Sequence, residues 1–325
     1  MAPRFGTLRG LDACASPLGT FTVLALDHRG NLRRILRPDD PDAVSHDQMV
    51  DLKRAVVRAL GEVADGVLLD PAIGVAGTIA DGSLPARAGL IVALEATGYQ
   101  GPATARVSRL LPGWSVAQAK RMGADAVKLL LYYHPDAPNA TDQERLLIEV
   151  AESCADADIA LFLEPLSYAI DEASPKLSGG DRRNAVVRTA RRLTALGGDV
   201  LKTEFPYDPS VTDRTLWQEA CVELDEASAI PWVLLSGGVD DTTFEAQTEV
   251  ACAAGASGVL VGRSVWAPSA TLPAEERGEW LASEGRARLE RLAAVVGRAG
   301  RPWRERSALA REPAPGEDWY LDYPA

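Results

Sequence analysis

A single-domain α/β protein, a closed (β/α)8 TIM barrel, is the fold class that this chain of 325 residues predicts. Three observations carry that expectation. Eight short runs rich in Val, Leu and Ile recur along the chain, and near-continuous apolar runs of this kind suit strands buried on both faces of a parallel sheet. Amphipathic stretches of helical length separate most of them, and such alternation with right-handed crossovers fits a closed barrel better than an open sheet. Polar residues gather at the C-terminal ends of the apolar runs, the edge where a barrel carries its chemistry.

In order, the strands are expected at 21–27, 66–71, 89–95, 126–133, 160–166, 200–206, 231–238 and 258–263. The helical stretches are 47–64, 115–123, 142–158, 182–197, 213–228, 242–254 and a longer one at 277–298. The third unit is the least regular, because residues 72–88 could hold either a further strand or a short helix. One domain is expected over 1–325, with the barrel core at about 20–298. The extension 299–325, with Trp303, Trp319, Tyr320 and Tyr323 among prolines, is expected to pack on the barrel or on a neighbouring subunit, and a homo-oligomer is expected.

Composition excludes several classes. A hydrophobic fraction of 46% with 25% charged residues describes a globular chain with a sizeable core. A net charge of −12 argues against nucleic acid, whose phosphates call for clustered positive charge. Cys14, Cys154, Cys221 and Cys252 are far apart and lack zinc or redox spacing, so buried reduced thiols are expected. Arg4, Arg9 and Asp12 interrupt the stretch that a secretory peptide would need, and no run of about 18 apolar residues follows. No membrane partner and a cytoplasmic location are the resulting expectations. With only His28, His46 and His134 available, and no paired-histidine spacing, no metal site and no cofactor are expected.

Only five of the 34 basic residues are lysine, and two of those, Lys128 and Lys202, stand inside strand-like apolar segments. An ammonium is costly there unless partnered, and arginine cannot do amine chemistry. Alternation along VLKTEFP puts Lys202 and Glu204 on one face and Leu201, Thr203 and Phe205 on the other, so the lysine should point into the barrel. Desolvation and a second cation, Lys128, would free a neutral amine able to attack a carbonyl. A purely structural lysine–glutamate ion pair is the other reading of the same spacing.

Glu164, in FLEP, is the candidate proton shuttle, or else a carboxylate satisfied by barrel lysines. Asp27 would accept from a substrate hydroxyl, orient Lys202, or simply cap the helix that follows. His28 and His134 lie beside strand ends and could touch substrate. LLSGGVDD and LVGRSVW each run from strand into a glycine-containing turn at the seventh and eighth positions, where barrels bind phosphate. There Ser236, Gly237, Gly238 and Gly262 would let the backbone approach an anion, helix-start N–H groups would receive it, and Arg263 would supply a planar fork.

With these segments in view, the chain resembles the class I tagatose 1,6-bisphosphate aldolase family and the related sulfofructose phosphate aldolases. LALDHRG, GADAVKLLLYY, FLEPLSY, VLKTEFP, PWVLLSGGV and AGASGVLVGRSVW carry the resemblance. It implies a Schiff base on Lys202, proton transfer by Glu164, substrate contact or lysine tuning by Asp27 and Lys128, and an anion held by Ser236, Gly237 and Arg263. Family members often carry glutamine where this chain has His28. The implied reaction is metal-free cleavage of a ketose 1,6-bisphosphate, tagatose 1,6-bisphosphate first, to dihydroxyacetone phosphate and glyceraldehyde 3-phosphate. Cleavage of 6-deoxy-6-sulfofructose 1-phosphate is the alternative within the family. A phosphosugar isomerase or epimerase with Glu164 as base, and a silent sugar-phosphate-binding barrel, are the readings from other classes.

Overall fold

The computed structural model describes residues 4–311, 316–321 and 323. Eight parallel strands close on themselves in sequence order: β1 (Phe21–Leu26), β2 (Gly66–Leu69), β3 (Gly89–Ala93), β4 (Ala126–Tyr133), β5 (Ala160–Ser167), β6 (Val200–Thr203), β7 (Trp232–Leu235) and β8 (Gly258–Val261). Every apolar run read from the sequence coincides with one of them, β5 running one residue past its run. The expected (β/α)8 barrel is the observed fold.

Strand parity divides the core in two. Phe21, Val23, Ala25, Leu68, Ile91, Ala126, Phe162, Val200, Val233 and Leu260 fill the barrel interior. Leu24, Leu26, Val67, Val92, Val127, Leu161, Leu201, Leu234 and Val259 face the helix layer. Successive side chains on a strand alternate, so each inner row runs upward into polar positions: Ala25 to Asp27, Ala126 to Lys128, Phe162 to Glu164 and Val200 to Lys202.

The covering helices include α1 (Phe5–Ala13), α2 (Gly30–Leu36), α3 (His46–Leu60), α4 (Val75–Ala80), α5 (Val116–Met122), α6 (Ala140–Asp156), α7 (Gly179–Leu193), α8 (Arg214–Ala227) and α9 (Asp241–Ala254). They continue through the single turn α10 (Arg263–Trp266), then α11 (Ala274–Trp280) and α12 (Arg286–Ala299). Their starts follow local chemistry. Ser45 and Gln48 form a reciprocal capping box on α3, while Ser115, Asp213 and Asp240 cap α5, α8 and α9. The irregular third unit contains the short α4 rather than another strand. The four cysteines are buried free thiols.

Helix α1 closes the N-terminal end of the barrel. Its first N–H groups, from Gly6 and Thr7, donate to the Asp158 carboxylate at 2.6 and 2.8 Å. A Cβ at Gly10 would lie 2.0 Å from the Asp125 carbonyl oxygen, so only glycine lets the helix lie this flat against the start of β4. Trp303 is fully buried beside Leu11 and Cys14 in the same layer, and Trp319 meets Phe5 edge-on at 4.7 Å. Residues 312–315, 322, 324 and 325 of the expected extension lie outside the described residues.

Candidate active site

At the opposite, C-terminal end of the strands lies a cavity of about 570 Å³. Asp27, His28, Glu164, Lys202, Ser236 and Arg263 line it, as do Gly237 and Gly262. Of the eleven residues read from sequence as site candidates, Lys128, Gly238 and His134 are absent from the lining. Lys128 and Gly238 stand immediately behind it.

Lys128 is fully buried beneath the cavity floor and is held by three carboxylates: Asp27 Oδ2 at 2.7 Å, Glu95 Oε1 at 2.5 Å and Glu164 Oε2 at 3.1 Å. Burial alone would push its ammonium down, but Asp27, Glu164 and Glu95 together outweigh that and hold it well above the usual lysine range. Lys128 is therefore a permanent cation. Burial likewise opposes the ionised form of Asp27, yet Lys128 and Lys202 keep its carboxyl well below the usual range. Asp27 does not cap α2, whose N-terminus has no side-chain cap.

The inward orientation expected of Lys202 is observed. Its side chain is 5% exposed, and Nζ lies 2.7 Å from Glu164 Oε1. Glu164 thus spans both lysines, with one oxygen toward each. The lysine's partner is not Glu204, which shares its face. The strand ends at Thr203, and Glu204 turns to Arg182 at 3.0 Å and to the Ser167 N–H at 2.7 Å.

Glu95 was legible only as a charge at a strand end, and its function as a ligand of Lys128 came from tertiary contacts. Strand β3 stops at Ala93, which leaves the upper N–H groups of β4 without a strand partner. Glu95 Oε2 accepts from Leu130 N at 3.1 Å, and Ser108 Oγ accepts from Tyr132 N at 2.8 Å. The carboxylate is thereby aimed at Lys128, and Arg29 reaches it at 3.6 Å. Asp70, another strand-end acid, belongs elsewhere. It forms a fully buried pair with Lys53 of α3 and accepts from Ile73 N at 2.9 Å.

His28 packs edge-on against Trp266 with ring centroids 5.4 Å apart. Burial, reinforced by the neighbouring cations Arg263, Lys202 and Lys53 against Asp27, pushes its pKa down to about 4. It is a neutral imidazole. His134 is outside the cavity lining, and its Nδ1 accepts from Asp136 N at 3.2 Å.

The seventh and eighth loops form a cradle. Gly237 and Gly238 adopt φ of +59° and +88°, left-handed conformations that an L side chain resists. A Cβ at Gly238 would lie 3.0 Å from Arg263 Cζ, so this glycine backs the flat guanidinium rather than facing the cavity. Arg263 makes no ion pair or side-chain hydrogen bond among the described residues. The helix starts do not contribute as expected: α10 is one turn long, and the Asp240 carboxylate already occupies the start of α9, accepting from Thr243 N at 2.9 Å. Arg34, exposed on α2 and also without an ion pair among the described residues, lines the cavity from its first loop. Sequence reading missed it because the helix is polar on that side and carries no distinguishing spacing.

The family profile of the DeoC/LacD family aldolases matches residues 21–268. A tagatose 1,6-diphosphate aldolase 2 of Streptococcus agalactiae serotype III is 33% identical over 314 residues, covering 89% of this chain and 94% of that protein. The tagatose 1,6-diphosphate aldolase 2 of Streptococcus pyogenes serotype M1 is 31% identical over 311 residues with the same coverage. Among solved structures, an archaeal fructose-1,6-bisphosphate aldolase with its catalytic lysine bound to the carbinolamine intermediate shares the fold. It has a TM-score of 0.58 and 20% identity, and the match covers 88% of this chain and 98% of that one.

Proposed function

The chain belongs to the DeoC/LacD family of aldolases, and on that premise we propose that it is an imine-forming enzyme acting on a ketose 1,6-bisphosphate, tagatose 1,6-bisphosphate first. The reaction releases dihydroxyacetone phosphate and glyceraldehyde 3-phosphate. The single observation that carries this reading is a buried amine, Lys202, in contact with a carboxylate that a second, permanently charged lysine holds in place.

Lys202 passes a proton to Glu164 and adds through Nζ to the C2 ketone; Glu164 then returns that proton to the carbinolamine hydroxyl, which leaves as water, so a protonated imine and a free carboxylate remain. The C3–C4 bond then breaks with its electrons drawn into the iminium, while Glu164 takes the C4 hydroxyl proton. Protonation at C3 and hydrolysis return the amine. Lys128 stays charged throughout, orienting Asp27, Glu95 and Glu164. Ser236, Gly237 and Arg263 hold one anionic group, and Arg34 faces the same cavity as a second cation for the other. These remote contacts keep the reacting carbons in line, so truncated substrates should lose kcat as well as affinity.

Borohydride reduction in the presence of tagatose 1,6-bisphosphate is expected to leave a stable adduct on Lys202, and Lys202→Ala is expected to form neither adduct nor triose. Wild-type protein without the adduct, or substantial turnover by Lys202→Ala, would overturn the proposal in favour of an isomerase. Triose release compared among tagatose, fructose and sulfofructose phosphates assigns the ketose and the anion.

A further inference from the structure

The segment between β3 and α5 rises over the cavity as a stapled excursion. Ala96 N donates to Arg109 O at 2.7 Å, Leu111 N to Leu94 O at 2.8 Å, and Gln100 and Val107 exchange two bonds at 2.9 Å. Arg106, on its returning leg, sits among three tyrosine rings, with Cζ 4.7 Å from the centroid of Tyr99, 5.0 Å from Tyr168 and 5.8 Å from Tyr132. Tyr99 and Tyr132 meet edge to face at 5.1 Å.

The three rings are not equivalent. Tyr168 is buried away from the cavity, and its hydroxyl donates to Asn139 Oδ1 at 3.2 Å. Tyr99 and Tyr132 line the cavity, and among the described residues neither phenolic oxygen has a hydrogen-bond partner. Tyr132 is half-buried and Tyr99 is 42% exposed, so both hydroxyls stand on the cavity wall without a protein partner among the described residues to compete with a ligand. Burial raises the Tyr132 pKa, which keeps it a neutral donor.

Their place in the barrel indicates which part of the ligand they meet. Strands β3 and β4 lie across the closed barrel from β7 and β8, which carry the anion cradle, while Glu164 and Lys202 on β5 and β6 stand between. A ketose anchored by one anion at the cradle and by C2 at Lys202 extends its remaining hydroxyl-bearing carbons toward this wall. We propose that Tyr99 and Tyr132 are specificity-determining residues that read the hydroxyls of the aldehyde fragment, and that Arg106 is the positioning residue that holds both rings. The inference rests on the aldolase reading above.

Arg106 is itself fixed. Its Nε donates to Ala103 O at 3.0 Å, and its carbonyl accepts from Asn139 Nδ2 at 2.7 Å. The guanidinium plane stacks on aromatic faces in a way that an ammonium cannot reproduce, so Arg106→Lys keeps the charge and loosens the rings.

The test compares a six-carbon and a three-carbon substrate on one amine. Tyr132→Phe and Tyr99→Phe remove single oxygens and keep ring packing. Each is expected to lower kcat/KM for tagatose 1,6-bisphosphate roughly tenfold, about one lost hydrogen bond. Each should also shift the ratio of tagatose to fructose 1,6-bisphosphate turnover, and Arg106→Lys should do the same. Borohydride trapping of dihydroxyacetone phosphate on Lys202, which involves no aldehyde fragment, is expected to fall far less. Equal losses for both substrates, or wild-type values in all three variants, would overturn the tyrosine wall alone. Wild-type protein that traps no dihydroxyacetone phosphate would overturn the imine reading and this inference with it.

Discussion

One oxygen of Glu164 lies 2.7 Å from the amine of Lys202, and the other lies 3.1 Å from the ammonium of Lys128. The carboxylate therefore faces two lysines of unlike character. Lys128 is pinned as a cation by three acids, whereas Lys202, among the described residues, has this single carboxylate as its ion-pair partner and opens on the cavity.

Glu164→Gln keeps the shape and removes the proton acceptor. It is expected to lower kcat by roughly 10²–10⁴-fold, the usual worth of a positioned acid–base group. Single-turnover trapping on Lys202 should slow in parallel. An unaltered kcat would mean that the proton travels by another path.

Asp27 sets a pH dependence of stability. Its folded pKa lies well below the ordinary 3.8, so the stability it contributes is complete above that ordinary value and is lost as pH falls through the depressed one. Wild type should exceed Asp27→Asn in urea-unfolding free energy at pH 7, and the gap should narrow at pH 3 and below. A gap that persists undiminished in acid would assign the effect to packing.

His28 works in the same direction from a different cause. Because its folded value of about 4 lies below the ordinary 6.5, the unfolded chain binds its proton first as pH drops. The stability linked to it is full above pH 6.5, declines between 6.5 and 4, and is worth roughly 3 kcal/mol in all. The imidazole proton resonances of His28 should titrate with a midpoint near 4. A midpoint near 6.5 would contradict the burial and the cationic surroundings described for this ring.

Gly238→Ala should impair the cradle from behind. The left-handed backbone costs an L residue about 1–2 kcal/mol, and the new methyl would press on the Arg263 guanidinium. Inorganic phosphate is expected to bind roughly tenfold more weakly, equivalent to about 1.4 kcal/mol. Gly278→Ala, on a helix with open space around it, should bind phosphate normally and unfold at slightly higher temperature. Isothermal titration and thermal melts check both.

Much of this protein is determined locally. The barrel was legible because parallel strands buried on both faces must be continuously apolar, and that pattern survives without any tertiary information. The inward aim of Lys202 followed from parity alone, since Val200 and Lys202 share a face. The same parity placed Glu164 above Phe162. What parity cannot supply is register between strands or the path of a loop. Only closure of the barrel brought Asp27, Glu95 and Glu164 from β1, β3 and β5 around one ammonium on β4, and it gave Lys202 the partner Glu164 rather than its sequence neighbour Glu204. Only the aperiodic excursion after β3 carried Arg106 and Tyr99 to Tyr132, because contacts made through loops leave no repeating signal along the chain.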